Sequence, residues 1–299
     1  MTAHPAISVE NLKKTYRGLW GPGHEALRGL TLRIEPGVAF GLIGPNGAGK
    51  TTFIKLLLNV ARPTSGALTV LGGDPEDVSI RARIGYLPER MHLPTALTGS
   101  DFLTSVATLK RIAVPQRDIR GLLERVGLGV TVQRIGTYSK GMRQRLGLAA
   151  AMLGKPELLI LDEPTDGIDP VGRVEVRALL VEEKQRGATI LLNSHLLAET
   201  ERVCDRIGVL ERGVLKLEGA LEDVRAESRR WRARFAPGEV AAALEACGFE
   251  RDGEAWAFAG DDVKALNVAL DRARASGALL LELTQPTRDL EQVLTEALA

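Results

Sequence analysis

A glycine-rich segment near the amino terminus has the residue types and the spacing of a phosphate-binding loop. Residues 44–52 read Gly-Pro-Asn-Gly-Ala-Gly-Lys-Thr-Thr, which satisfies the pattern GxxxxGK(S/T). The glycines let successive backbone N–H groups face a phosphate, and the N-terminus of a following helix adds partial positive charge. We expect Lys50 to bridge the β- and γ-phosphates of a nucleotide and the Thr51 hydroxyl to ligate Mg²⁺. The predicted nucleotide-binding residues are Gly44, Pro45, Asn46, Gly47, Ala48, Gly49, Lys50, Thr51 and Thr52.

Two adjacent carboxylates, Asp162 and Glu163, follow the apolar run Leu158 to Leu161. A continuous apolar run of this length is typical of a strand that is buried on both faces of a parallel sheet. In open parallel sheets ligands bind beyond the carboxyl ends of the strands, where the phosphate loop also lies. We therefore expect Asp162 to hold Mg²⁺, often through water, and Glu163 to polarise an attacking water as a general base.

A third motif narrows the range of nucleotide hydrolases to which this chain is similar. Residues 138–145 read Tyr-Ser-Lys-Gly-Met-Arg-Gln-Arg and precede the acid pair. They resemble the signature motif of ABC ATPases, usually written LSGGQ, in a variant seen among the ATPases of bacterial exporters. Lys140 and Met142 depart from the consensus, whereas Ser139 and Gly141 match it. The resemblance implies that this segment faces the γ-phosphate of an ATP held by a second copy, so that two ATP molecules are sandwiched in a head-to-tail dimer.

Four further residues occur in the order that the ABC family leads us to expect. By resemblance, Tyr16 stacks on adenine, with Trp20 as a less favoured alternative. Asp169 lies in the D-loop, which communicates across the dimer, and His195 is the switch histidine that contacts the γ-phosphate. Glu89 occupies the Q-loop position in place of the usual glutamine, where a carboxylate can still ligate Mg²⁺ or its water.

The elements that must position these residues are short apolar runs and longer helical stretches. Continuous runs such as Val38 to Ile43 and Thr189 to Leu192 predict a parallel sheet covered by helices. Residues 97–153 contain no comparable run and are predicted to be mainly helical. The pattern predicts an α/β fold, and the resemblance makes it a P-loop ABC ATPase core over residues 1–222 with a helical subdomain at about 90–155.

The remaining residues, 223–299, have a different rhythm and predict a small accessory C-terminal α+β domain. Trp231, Ala233 and Phe235 alternate with arginines, which is typical of a half-buried strand. Asp252-Gly253 predicts a hairpin turn, because glycine tolerates the positive φ of a tight turn. The predicted order is βαββαβ. The predicted elements after the first strand are a helix at 238–246, a hairpin at 249–258, a helix at 261–275, a strand at 278–283 and a closing helix at 289–298.

Composition limits the classes of partner. The 299 residues carry a formal net charge of +1, which provides no basic field that would make nucleic acid the default ligand. The amino terminus lacks the pattern of a secretory signal, and no stretch has the roughly 20 apolar residues of a membrane-spanning helix. Any membrane connection is therefore expected to come through a partner. Cys204 and Cys247 lack a metal-binding motif and are interpreted as small hydrophobic residues in a reducing compartment.

The motifs together predict an ATP hydrolase, and the resemblance implies the ATP-binding subunit of an ABC transporter. Such a subunit dimerises around two ATP molecules and drives a separate integral-membrane permease, here an exporter, from the cytoplasmic face of the cell membrane. The implied catalytic residues are Glu163, His195 and Lys50. The implied metal ligands are Thr51, Asp162 and Glu89.

Two alternatives stay open. A soluble ABC ATPase that acts on ribosomes or DNA is disfavoured, because the chain has a single cassette and no sustained heptads. A non-hydrolysing regulatory cassette is disfavoured by the presence of the acid pair, Lys50 and His195.

Overall fold

A computed structural model describes residues 4–17, 23–129, 132–225, 230–238, 240–260, 262–285 and 290–298. Trp20 lies outside the described residues. The chain divides into two compact units, the first formed by Met1–Leu221 with Glu296–Ala299 and the second by Glu222–Thr295.

The first unit contains a six-stranded and a three-stranded sheet. Its strands are β1 (Ile7–Tyr16), β2 (His24–Ile34), β3 (Ala39–Ile43), β4 (Ser65–Val70), β5 (Ile84–Leu87), β6 (Leu158–Asp162), β7 (Thr189–Asn193), β8 (Arg206–Glu211) and β9 (Val214–Ala220). The larger sheet has the order β5-β6-β7-β3-β8-β9, in which all neighbours are parallel except β8 and β9. The smaller sheet is antiparallel with the order β2-β1-β4. The predicted parallel sheet is confirmed.

The central strands are continuously apolar because alternate side chains enter two different cores. On β6, Leu159 and Leu161 pack into a core that also contains residues of the long helices, whereas Leu158 and Ile160 pack into a core shared with the small antiparallel sheet. Both faces of the strand are therefore removed from water, as expected for a parallel sheet in an α/β protein.

Helices cover this framework. They are α1 (Lys50–Leu57), α2 (Val78–Ala82), α3 (Gly99–Lys110), α4 (Gln116–Arg125), α5 (Lys140–Met152), α6 (Pro170–Gln185) and α7 (Leu197–Val203). A short helix, α8 (Leu221–Arg225), begins at Leu221, where this unit ends, and continues into the second unit. Between β5 and β6, the described residues form α3, α4, a 3-10 turn at Ile135–Thr137 and α5, so the predicted helical insertion is confirmed. A capping box starts α3: the Thr98 side chain accepts a hydrogen bond from the backbone of Asp101, and the Asp101 side chain accepts one from the backbone of Thr98.

The second unit is a four-stranded antiparallel sheet with the order β11-β12-β10-β13. Its elements are β10 (Arg230–Phe235), α9 (Ala241–Ala246), β11 (Phe249–Asp252), β12 (Ala255–Ala259), α10 (Val263–Ala275) and β13 (Leu280–Thr284), and α11 (Leu290–Leu298) follows. This is the predicted βαββαβ order with a closing helix. Ala233 and Phe235 enter the core of the unit, and Arg232 and Arg234 are exposed, as the alternation predicts.

The predicted position of the hairpin turn is wrong by one residue. Asp252 pairs with Ala255 across the strands, so the two turn residues are Gly253 and Glu254. Gly253 has a φ of 61°, and it therefore provides the positive φ at the first turn position. The glycine of the predicted dipeptide does lie in the turn, but the aspartate still belongs to the strand.

Among the described residues, no helix is long and apolar enough to cross a membrane.

The contact between α5 and β5 gives a stability prediction. Gly85 lies in β5, and a Cβ added there would collide with the carbonyl oxygen of Ala151 in α5. Gly85→Ala should lower the free energy of unfolding by about 1–3 kcal/mol, because the helix must shift away from the strand. Urea unfolding followed by far-UV circular dichroism measures this change.

Gly121 on α4 is the matched control, since a Cβ there would meet no atom within 4 Å. Gly121→Ala should leave stability unchanged or raise it by roughly 0.5–1 kcal/mol, the helix propensity of alanine over glycine. Equal effects of the two substitutions would contradict the close α5–β5 packing.

Candidate active site

The glycine-rich loop connects the end of β3 to the start of α1. Gly44 and Gly49 have φ values of 154° and 111°. Both approach backbone closely, because a Cβ on Gly44 would collide with the carbonyl oxygen of Leu210 and one on Gly49 would lie 2.5 Å from that of Ala26. No side chain caps α1, so the first N–H groups of the helix stay available to a ligand at its N-terminus.

Lys50 lies at the first position of α1 and turns back onto the loop. Its Nζ donates to the carbonyl oxygens of Gly44 at 2.5 Å and Pro45 at 3.1 Å. Burial lowers the pKa of Lys50, and the negative charges of Glu163, Asp162 and Glu89 oppose that shift. The carboxylates therefore favour the charged form of Lys50, and the two loop carbonyl oxygens hold its ammonium in place.

Asp162 ends β6 and is 2% exposed. It faces Asn193, the last residue of β7, whose Nδ2 donates to Asp162 Oδ1 at 2.5 Å. Burial raises the pKa of the Asp162 carboxyl, and the hydrogen bond from Asn193 opposes the rise. Because β7 lies between β3 and β6 in the sheet, its last residue stands between the glycine-rich loop and the acid pair.

Glu163 follows the strand in the left-handed region, with φ of 52°. Its two carboxylate oxygens accept hydrogen bonds from His195, Oε1 from the backbone N–H at 3.0 Å, and Oε2 contacts the ring Nδ1 at 2.7 Å. Burial raises the pKa of the Glu163 carboxyl, and the contacts with His195 oppose the rise. The Glu163 side chain is 15% exposed and that of His195 68%, so the pair lies at the edge between protein and solvent.

These groups line one cleft of about 680 Å³. Tyr16, at the end of β1, contributes a ring that is 38% exposed and that has Lys14 Nζ 4.9 Å from its centroid. Predicted residues that line the cleft are Tyr16, Gly44, Pro45, Asn46, Gly47, Ala48, Gly49, Lys50, Thr51, Thr52, Glu89, Glu163 and His195. Asp162 lies behind the lining, because it is almost fully buried.

The polar groups of the cleft fit a Mg²⁺ ion. Asn193 Oδ1 is buried and has no hydrogen-bond partner, and it belongs to the side chain that holds Asp162. The described residues contain no cluster of three or more His, Cys, Asp or Glu that forms a metal cage. Magnesium in nucleotide sites takes only one or two carboxylates and completes its shell with phosphates and water. Thr51, Asp162 and Glu89 therefore remain suitable ligands.

The signature residues do not line this cleft. Ser139 is the N-cap of α5, and its Oγ accepts from the Met142 N–H at 3.2 Å. The ammonium of Lys140 pairs with the carboxylate of Asp166 at 2.8 Å. Ser139 and Lys140 therefore make contacts within their own chain, and the carboxylate that pairs with Lys140 is one of the groups lining the cleft.

Asp169 also has a local role. It is the N-cap of α6, where its Oδ1 accepts from the Gly172 N–H at 2.9 Å, and that hydrogen bond lowers the pKa of the Asp169 carboxyl. Pro170 follows at the first helical position, a sequence pattern that announces a helix start. The cross-dimer role that the resemblance implies stays a prediction.

Three contacting residues were not predicted as site residues. Asn193 positions Asp162, Gln144 donates its side-chain amide to the carbonyl oxygen of Glu163 at 2.8 Å, and Glu199 accepts from the hydroxyl of Thr165 at 2.5 Å. Gln144 and Glu199 are each 4% exposed. A polar residue within an otherwise apolar helical face is the signal that could have indicated them, because buried polar groups require partners.

The raised pKa of Glu163 gives a pH-dependent prediction. A carboxyl whose pKa is raised by folding destabilises the folded state when ionised, and this cost disappears below its unfolded pKa of about 4.3. In the absence of nucleotide, Glu163→Gln should therefore melt at a higher temperature than the natural chain at pH 7–8. The difference should shrink as the pH falls toward about 4.

Thermal melts of both chains between pH 4 and 8 measure this difference. Glu124→Gln, at an exposed position on α4, is the control and should show no such trend. A Glu163→Gln chain that melts lower at neutral pH, or by the same amount at every pH, would contradict the assignment.

Comparisons with known proteins show which family the chain belongs to. A family model described as ABC transporter matches residues 27–166. An ABC transporter ATP-binding protein of Nostoc sp. (strain PCC 7120) is 43% identical over 225 residues, which cover 73% of this chain and 67% of the relative. The daunorubicin resistance ATP-binding protein DrrA3 of Streptomyces coeruleorubidus is 38% identical over 231 residues, 76% of this chain and 72% of the relative.

A solved structure agrees as well. The ATP binding subunit of an ABC transporter superposes with a TM-score of 0.65 and 32% identity, covering 73% of this chain and 91% of that one. The chain spans about two thirds of the length of the first relatives it matches, 67% and 64%. Sequence identity, family motifs and fold all lead to the same conclusion: the chain belongs to the family of ABC transporter ATP-binding proteins.

Proposed function

We propose that this chain binds Mg²⁺-ATP and hydrolyses it. The observation that carries the proposal is the Glu163–His195 pair at the edge of the cleft that also contains the glycine-rich loop. A half-desolvated carboxylate that is oriented through both oxygens is a suitable acceptor for the proton of an attacking water. A purely structural ion pair would not require the carboxylate to lie at the edge of the cleft that contains the glycine-rich loop.

The other residues of the cleft bind and orient the substrate. Lys50 now donates to two carbonyl oxygens, and a triphosphate offers charged acceptors that make stronger hydrogen bonds. The exposed ring of Tyr16 offers a face for adenine stacking. Thr51 and Asp162, with Glu89 as a third candidate, would hold Mg²⁺, which stabilises negative charge on the phosphoryl oxygens when bound. His195 keeps Glu163 in place and has an exposed ring that can contact the γ-phosphate.

The proposed active unit is a dimer of this chain. Ser139, Lys140, Gly141 and Met142 do not line the cleft of their own chain. The resemblance gives them a role at the γ-phosphate of the ATP bound by a second copy. The closed dimer then holds two ATP molecules between its subunits, and ATP favours closure because it binds both faces.

The proposed cellular role is to drive a separate integral-membrane permease from the cytoplasmic face of the cell membrane. Membership of the family supports this role, and the name of the daunorubicin resistance relative favours export. A soluble ABC ATPase that acts on a macromolecule such as a ribosome or DNA is the second candidate. The near-neutral net charge gives nucleic acid no electrostatic advantage.

Substitution of the proposed base tests the hydrolytic function. Glu163→Gln should bind ATP, reduce turnover by about 10²- to 10⁴-fold, and accumulate as an ATP-bound dimer, because the general base is lost while the phosphate contacts remain. Phosphate release and size-exclusion chromatography with ATP measure both effects. Glu124→Gln should hydrolyse ATP normally, and near-normal turnover of Glu163→Gln would show that Glu163 is not the base.

Purification in mild detergent tests the transport role. The chain expressed in its native cell should co-purify with an integral-membrane protein. Mass spectrometry identifies that protein, and its sequence should contain membrane-spanning helices. Recovery of ribosomes or DNA without a membrane protein would favour the second candidate.

A further inference from the structure

The backbone of Glu163 is held from two sides. Its N–H donates to the carbonyl oxygen of Asn193 at 2.8 Å, and its own carbonyl oxygen accepts from Gln144 Nε2 at 2.8 Å and from the Asp166 N–H at 3.2 Å. This restraint matters because Glu163 adopts a φ of 52°, a conformation that non-glycine residues rarely maintain without support. The direction in which the carboxylate leaves the chain depends on that conformation.

Two groups donate to the Glu163 carbonyl oxygen. Gln144 is the one that uses its side chain and lies far from Glu163 in the sequence. It lies in α5, two residues after Met142 of the signature, and is 4% exposed. A buried amide whose donor has a carbonyl partner is fixed in orientation, since leaving the carbonyl unpaired would be unfavourable. The donor therefore holds the Glu163 peptide at a set distance from α5.

The surrounding contacts show that α5 and the segment after Glu163 approach closely. A Cβ on Gly141 would lie 3.1 Å from the carbonyl oxygen of Gly167, and a Cβ on Gly167 would lie 2.5 Å from Lys140 Cδ. Lys140 also pairs with Asp166 at 2.8 Å. The first turns of α5 therefore pack closely against residues 163–167, and Gln144 makes the buried hydrogen bond between them.

We propose that Gln144 is a positioning residue for the general base, which fixes Glu163 relative to the signature segment of the same chain. This inference rests on the proposed function. The signature segment serves the ATP of the second copy, whereas Glu163 serves the ATP of its own chain. Gln144 thus connects the two proposed nucleotide sites through one hydrogen bond and does not itself line the cleft of its own chain. Displacement of the signature segment is passed to the carboxylate that activates water.

Two isosteric substitutions test this role in the full chain. Gln144→Glu and Gln144→Met both remove the amide donor with little change in volume. Each should lower kcat by about 10- to 100-fold and leave the KM for Mg²⁺-ATP within about twofold, because a base misplaced by about 1 Å loses rate without weakening phosphate contacts.

The pH profile separates positioning from packing. A protonated glutamic acid at position 144 can donate to the Glu163 carbonyl, whereas the carboxylate cannot. The turnover of Gln144→Glu relative to the natural chain should therefore rise as the pH falls, and that of Gln144→Met should not. Gln116 on α4 is the matched control. Its Nε2 donates to Thr104 Oγ1 at 3.1 Å, and Gln116→Glu and Gln116→Met should keep kcat unchanged.

A double-mutant cycle provides the last measurement. If Gln144 acts through Glu163, Gln144→Met should have no further effect on the residual turnover of Glu163→Gln. Normal kcat in the Gln144 variants, a parallel loss of kcat and ATP affinity, additive effects in the cycle, or failure of both variants to fold would each overturn the proposal. A natural chain without ATPase activity would instead refute the proposed function.

Discussion

Three ionisable side chains are withdrawn from water at one edge of the sheet, and the rest of the site compensates for that burial. Burial raises the pKa of Asp162 and Glu163 and lowers that of Lys50, so each of the three is less easily charged than it is in water. A buried charge is tolerated only when other groups replace its hydration. Loop carbonyls do this for Lys50, Asn193 does it for Asp162, and His195 for Glu163. The partners of Lys50 and Asp162 belong to loop backbone and to the end of a strand, whereas the partner of Glu163 is a more exposed side chain.

The features that the sequence could predict are those written locally. The apolar run before Asp162 predicts a buried strand and the glycine pattern predicts the phosphate loop, because each depends on neighbours along the chain. The role of Asn193 could not be predicted in the same way. It depends on the sheet order, which places β7 between β3 and β6. The sequence of a strand does not indicate which other strands lie beside it in the sheet. The left-handed conformation of Glu163 is likewise imposed by tertiary contacts on a residue type that does not favour it.

The charged departures from the family consensus, Glu89 and Lys140, have different consequences for the charge of the cleft. Glu89 adds a carboxylate to the cleft, where its charge raises the pKa of Asp162 and opposes the lowering of the Lys50 pKa. A second cation near the phosphates would offset that extra charge. Lys140 itself does not line its own cleft, and its ammonium pairs with Asp166, a carboxylate that does. Lys140, which departs from the signature consensus, thus pairs with Asp166 in the segment after Glu163, and these two residues are best interpreted together.

That segment, Glu163 to Asp169, makes contacts with α5, β7 and α7. Gln144 and Lys140 hold it from α5, and the strand end of β7 holds it through Asn193.

Thr165 is bonded to Glu199 in α7, the helix that follows His195, and Asp169 caps α6. Because the segment is short and its tethers come from α5, β7 and α7, a shift of one of these elements must either break its contacts or move the segment. Thr165 and Glu199 are both almost fully buried, which makes breaking their bond the costly alternative. A change at the proposed γ-phosphate contact of His195 is therefore expected to reach α6 and α5 through the same seven residues that carry the proposed base. Under the proposed function, hydrolysis and the movement of these helices would then depend on one segment of backbone.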